Sequence, residues 1–139
     1  MSVTLEEKLA IHELLSKASY AYDARDLDML AACFTPDATL TMRIAGGDLV
    51  GPFDGRDAIM GLMGGSMAEQ TDVRRHVVSN IFFDDSADGT AVKSFLTLVA
   101  TENGETRVLS TGVYHDTVVA DDAGAWRLAQ RYIELDNSY

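Results

Sequence analysis

Four runs in the second half of the chain most constrain its fold: "VRRHVVSNIFF", "TAVKSFLTLVAT", "TRVLSTGVYHDTVV" and "AWRLAQRYIEL". All are rich in β-branched and aromatic residues, as strands are. Short, polar, glycine-bearing stretches separate them: "DDSADGT", "ENGE" and "ADDAGA". These are hairpin loops by composition, so the strands follow one another as an antiparallel meander. A meander needs something apolar against its inner face, and the first half of the chain supplies it.

The first half reads as helices. Thr4 and Glu7 form the spacing of a capping box. Leu5, Leu9, Ile11, Leu14, Leu15, Ala18 and Tyr22 then recur at helical intervals, which predicts a helix to about Asp23. Asp26 is placed to cap a second, short helix, "LDMLAACF". "TPD" at 35–37 reads as a turn, with Pro36 stopping that helix. "ATLTMRI" alternates as a strand, and "AGGDLVGPFDG" is a loop or hairpin. "RDAIMGLMGGSMAE" is a third, methionine-rich helix entered through Asp54 or Gly55. Helices first and a meander second define an α+β domain spanning 1–139, with the helices on one face of the sheet. A sheet of this kind curls around its helices and leaves a pocket at the mouth.

Composition narrows the functions. The chain has 139 residues and a net charge of -11. Phosphate binding needs a basic surface, so neither nucleic acid nor an anionic membrane is expected as a partner. No run reaches transmembrane length, and "MSVTLEEKLAIHE" lacks the basic start of a signal peptide. The expected location is cytoplasmic. Cys33 is the one cysteine, so no internal disulfide forms, and its apolar setting places it in the core. No two histidines stand at ligand spacing and no phosphate loop follows a strand, so neither a metal nor a cofactor is expected.

Asp23, His76 and Arg131 are the acid–base candidates. By the two-residue period Arg74, His76, Val78, Asn80 and Phe82 share a strand face, and Val78 and Phe82 mark it as buried. A buried histidine needs a partner for a ring nitrogen, and a buried carboxylate needs a donor. Paired, Asp23 fixes the tautomer of His76 and leaves its other nitrogen as a base. Unpaired, His76 is an ordinary core or surface histidine and Asp23 a helix-end residue. At about 100° per residue Asp23 lies on the edge of the apolar stripe, so spacing alone does not choose. His12 falls on the polar side of the first helix. Tyr114 and His115 point to opposite faces of their strand, and the pattern does not say which meets the pocket. Arg131 alternates with Ala129 and Ile133, where it is either half of a buried ion pair or an anion binder. Met42, Met60, Met63 and Met67 are core residues or the wall of an apolar pocket.

Taken in order, "IHELLSKASYAYDARDLDMLAACFTPDA", "FDGRDAI", "RHVVSN" and "STGVYHDTVVADDAGAWRLAQR" resemble the nuclear transport factor 2-like superfamily, in its SnoaL-like branch. The resemblance covers nearly the whole chain. It implies a cone-shaped roll: a curved, mostly antiparallel sheet wrapped around three N-terminal helices, with an apolar pocket. "SYAYDARDLDML" followed by "RRHVV" looks most like scytalone dehydratase, hexachlorocyclohexane dehydrochlorinase and bile-acid 7α-dehydratase. There an Asp ending helix one and a His on the third strand form a catalytic dyad, and the matching positions are Asp23 and His76. Tyr22 matches a tyrosine that holds a substrate carbonyl through water. Arg131 matches an arginine that stabilises a departing anion, and Tyr114 an aromatic pocket position. With Met42 and Phe53 these form the expected substrate-binding set. The departures are specific. Ala18 stands where the dehydrochlorinase has lysine, "AVKSFLTLV" lacks the dehydratase's second histidine, and Met42 replaces its second tyrosine.

The resemblance implies a cofactor-independent lyase of the dehydratase type acting on a small, apolar, cyclic molecule. An isomerase or polyketide cyclase would use the same dyad. A non-catalytic alternative is a ring-hydroxylating dioxygenase β-subunit, suggested by "RYIELD", or a ligand-binding protein. Self-association as a homodimer or homotrimer is expected.

Overall fold

The computed structural model describes residues 3–85 and 89–139. Three helices occur among them: α1 (Leu5–Asp23), α2 (Leu27–Ala32) and α3 (Arg56–Glu69). Six strands form one sheet: β1 (Phe34–Ile44), β2 (Leu49–Asp54), β3 (Val73–Phe83), β4 (Thr90–Glu102), β5 (Glu105–Ala120) and β6 (Trp126–Leu135). Their spatial order is β2-β1-β6-β5-β4-β3, with β2 and β3 at the edges. β1 runs parallel to β6, and every other neighbouring pair is antiparallel. The architecture is α+β, with helices packed on a mixed sheet. The loop residues 86–88 of "DDSADGT" lie outside the described residues.

Local chemistry sets the helix ends. The Thr4 hydroxyl accepts from Glu7 N–H at 3.1 Å while Thr4 N–H donates to the Glu7 carboxylate at 2.9 Å. Two otherwise orphaned donors are thereby satisfied. Asp26 accepts from Met29 N–H at 3.0 Å and starts α2 as its cap. Of the two candidates for the entry to α3, Gly55 holds the cap position, at φ 91°. That is a left-handed conformation that glycine adopts without a Cβ clash.

The core lies between the helices and one sheet face. Ile11, Leu15, Leu30, Phe34, Leu40, Ile59, Val92 and Leu128 are closed to solvent. Each such side chain contributes about 1.5–3 kcal/mol by leaving water. Cys33 is buried among them, and burial pushes its thiol pKa up, so it stays protonated.

Four expectations need correction. Leu5 and Leu9 are exposed, at 75% and 64%, so only the later turns of α1 reach the core. The second helix ends at Ala32 rather than Phe34. "TPD" is the start of β1, not a turn. Pro36 is tolerated because the β1–β6 pairing is interrupted between Phe34 and Thr39, where no ladder N–H is needed. Finally, Asn80 and Phe82 do not share the His76 face. Asn80 takes φ 56° and the β3–β4 register slips between Ser79 and Phe82. The extra residue inverts the alternation, so Ile81 and Phe83 turn toward the core and Phe82 is 55% exposed.

Candidate active site

A cavity opens between α1, α3 and the inner sheet face. It encloses about 790 Å³ free of protein atoms, its open mouth included. Most of its wall is apolar: Ala18, Leu30, Phe34, Leu40, Met42, Leu62, Met63, Leu96, Leu98, Ile133 and Leu135. The polar side chains on it are Ser19, Tyr22, Ser66, Arg74, His76, Tyr114, Arg131 and Tyr139.

Asp23 and His76 meet at this wall. Asp23 is the last residue of α1, and His76 stands on the inner face of β3, opposite Leu98 of β4. His76 Nδ1 lies 2.6 Å from Asp23 Oδ1, and the His76 backbone N–H donates to Oδ2 at 2.7 Å. A carboxylate only accepts, so Nδ1 carries a proton, and in the neutral ring Nε2 is then the nitrogen with the free lone pair. No described residue bonds to Nε2, and His76 lines the cavity. The side chains are 13% and 9% exposed, so the pair is shielded without being sealed.

The chain aligns the two elements through neighbouring contacts. The Arg25 guanidinium donates to the carbonyl oxygens of Gln70 and Asp72 at 3.1 and 3.2 Å, tying the end of α1 to the approach of β3. Arg74 bonds Asp72 at 2.8 Å and lies over the Tyr139 ring. The Tyr22 ring meets the His76 ring edge-on, with centroids 4.8 Å apart. Its hydroxyl accepts from Gln70 Nε2 at 2.8 Å, and burial raises its pKa against the opposing pull of that bond.

Strands β5 and β6 hold a second buried cluster. Asp116 and Arg131 are directly opposed in the β5–β6 register and form a two-point pair at 2.8 and 2.9 Å. Burial works against the guanidinium's charge, but Asp116 more than offsets it and holds the Arg131 pKa above its ordinary value. The same guanidinium lies 3.9 Å from the centre of the Tyr114 ring. Of the two open assignments for Arg131, the buried ion pair is the one present. Burial pushes the Tyr114 hydroxyl up to about 12.

The structure therefore gathers Tyr22, His76, Met42, Tyr114 and Arg131 on the wall of one cavity, with Asp23 bonded to His76 and outside the lining. Phe53 is placed elsewhere: it is opposite Leu40 on β2, packed on the core and outside the cavity lining. Tyr114, not His115, faces inward. His115 lies on the other sheet face, where it bonds Glu134 at 2.6 Å and stacks on Tyr132. Sequence reasoning passed over Asp116, Gln70 and Ser19. Asp116 was visible in principle, since the strand period puts it on the Tyr114 face, where an acid is out of place. Gln70 and Ser19 carry no signal beyond helix position. Among the described residues no cluster of metal-ligating side chains occurs, and no helix is long and apolar enough to cross a membrane.

With this fold and this cavity in place, comparison gives the class. Residues 3–132 match the SnoaL-like domain family, and the chain belongs to it. No protein of curated function matches the chain by sequence. Solved structures share the fold. A protein of unknown function from Nostoc punctiforme with a cystatin-like fold is 24% identical, at TM-score 0.81 over 99% of this chain and 97% of that one. A provisional scytalone dehydratase from Novosphingobium aromaticivorans is 27% identical, at TM-score 0.75 over 94% and 85%. A Catenulispora acidiphila protein in complex with S-DNPA is 21% identical, at TM-score 0.78 over 96% of each chain.

Proposed function

We propose that the chain is a lyase of the dehydratase type in which Asp23 and His76 act as a proton-abstracting dyad. The observation that carries this is the 2.6 Å Nδ1–carboxylate contact beside an apolar cavity, with Nε2 unpartnered. The substrate is a small, mostly apolar, cyclic molecule. His76 Nε2 takes a proton from carbon. The C–H electron pair becomes a double bond as a leaving group departs with its own pair from the neighbouring carbon. Asp23 keeps the ring in the productive tautomer and stabilises the imidazolium that forms. A positioned base contributes about 10²–10⁴-fold, and the remainder comes from orientation in a water-poor cavity. The step moves only a proton and a leaving group, so it draws on no cofactor. Tyr22, Met42, Tyr114 and Arg131 bound the substrate space.

The provisional scytalone dehydratase among the similar structures supports the reaction type. The S-DNPA complex supports a small-molecule ligand. The reading includes a sheet curved around the helices as a cone, and a homo-oligomer. Exposed Val77 and Phe95 on the outer sheet face support self-association.

The test is α-proton exchange of a cyclic ketone, 1-indanone, in D₂O, followed by NMR. The wild type should accelerate exchange, while His76→Ala and Asp23→Asn should lose most of it and stay folded. Equal acceleration in both variants would overturn the dyad. An isomerase or cyclase begins with the same proton removal, and product analysis on cyclic β-hydroxy ketones separates them from a lyase by release of water.

A further inference from the structure

Both guanidinium ions on the cavity wall are already matched by an acid. Arg74 bonds Asp72 and Arg131 bonds Asp116, each at 2.8 Å, and the His76 ring faces the Asp23 carboxylate. The cavity therefore has no surplus positive charge for a carboxylate or phosphate ligand. Its polar capacity is different in kind. No described residue hydrogen-bonds the Tyr114 hydroxyl, although the residue is only 4% exposed. Among the described residues the sealed hydroxyls without partners are those of Ser19, Thr35 and Ser94, and Tyr114 is not one of them but lines the cavity. A buried phenol with an idle donor in an apolar chamber calls for an acceptor from outside the protein.

Its position fits that use. Tyr114 lines the cavity from β5, separated by β4 alone from the β3 edge strand that carries His76. The Arg131 guanidinium covers its ring face and is locked there by two bonds to Asp116. A cation over the ring draws electron density from it and strengthens the O–H as a donor. Burial keeps the phenol protonated through the ordinary pH range, so it donates and does not accept as an anion.

We infer that the Tyr114 hydroxyl is the hydrogen-bond donor for a neutral carbonyl-type oxygen of the substrate, and that the cavity selects uncharged ligands. This rests on the reading of the cavity as a substrate site and adds its substrate class. Arg131 is a positioning residue behind the ring and does not itself bind the ligand. As charge builds on the substrate oxygen during proton removal, this bond strengthens, which is where a donor contributes to rate.

Three probes of one size test it: acetophenone, α-methylstyrene, which replaces the carbonyl oxygen by CH₂, and the anion benzoate. Dissociation constants come from ligand-observed NMR. The wild type should bind the ketone about 3–10-fold more tightly than the alkene, as one net hydrogen bond provides. Tyr114→Phe should bring that ratio to about one, and Ser94→Ala, which alters a sealed hydroxyl outside the cavity, should leave it intact. A preference retained in Tyr114→Phe, no preference in the wild type, or tighter binding of benzoate than of ketone overturns the inference. One measurement needs no variant: the ¹³C resonance of the acetophenone carbonyl should move downfield on binding to the wild type, and an unmoved resonance overturns the inference too. His76→Ala should keep the ketone preference. Failure of the dyad therefore shows in proton exchange, and failure of the donor shows in the binding ratio.

Discussion

Asp23 grips His76 at two points, taking the ring N–H on one carboxylate oxygen and the backbone N–H of the same residue on the other. The ring cannot rotate or slide along β3 without breaking one of these bonds. Orientation and tautomer are thus set by one side chain, which is the arrangement a general base requires.

The tautomer is directly observable. In the wild type near neutral pH, ¹⁵N–¹H NMR should find the neutral His76 ring protonated at Nδ1. Asp23→Asn substitutes an amide that can donate as well as accept, so the Nδ1–H population should fall and proton exchange should drop by about 10²–10⁴-fold. Combined with His76→Ala it should cost little more than either change alone, because the two residues act as a unit.

The other acid of the same stretch predicts the opposite pattern. Asp26→Ala removes the cap on Met29 N–H. Urea unfolding should show a loss of about 1 kcal/mol, with the His76 tautomer and the probe affinities unchanged. A loss of exchange activity in folded Asp26→Ala protein would contradict the division of labour between the two acids.

Arg131 and Asp116 should be strongly coupled. Asp116 is fully enclosed at its side chain, so Arg131→Met strands a buried carboxylate. The expected cost by chemical denaturation is about 3–5 kcal/mol. Adding Asp116→Leu should recover most of it, because two apolar residues leave no buried charge without a partner.

Tyr114 should make stability fall at alkaline pH. Its folded-state pKa is raised from 10.0 to about 12, so the folded protein holds the phenolic proton more tightly than the unfolded chain. That contribution is complete below pH 10 and is lost as pH rises through 12. Two units correspond to about 2–3 kcal/mol. The stability curves of wild type and Tyr114→Phe should run parallel below pH 10 and separate above it, with the wild type falling faster. Parallel curves throughout would show that the hydroxyl is not desolvated.

The legible parts of this fold are those governed by neighbours in sequence. The Thr4–Glu7 capping box, the Asp26 cap and the strand at Val73–Phe83 depend on residues a few positions apart. The failures depend on what lies across the fold. Periodicity marks Leu5 and Leu9 as belonging to an apolar side, but not whether anything covers that side. One residue in a left-handed conformation, Asn80, reverses the faces of β3 beyond it, and "VSNIFF" gives no warning of the slip. In the site, the meeting of Asp23 and His76 came from resemblance and not from spacing, which left it open. The state of Arg131 was open for a similar reason, since only the β5–β6 register brings Asp116 opposite it.

Asp23 closes α1, and no basic residue stands in that last turn to balance it. Helix carbonyls crowd their negative ends at this point, so an acid here opposes the helix dipole at a cost of about 0.3–1 kcal/mol. The N–H groups it accepts from His76 give folding a reason to keep an acceptor at 23, but not a charged one. A library selected only for thermal resistance should trade the acid for asparagine, which still accepts and suits the helix end. The position would then act as an evolutionary gauge of charge: aspartate outlasts asparagine there only under selection for use of the cavity.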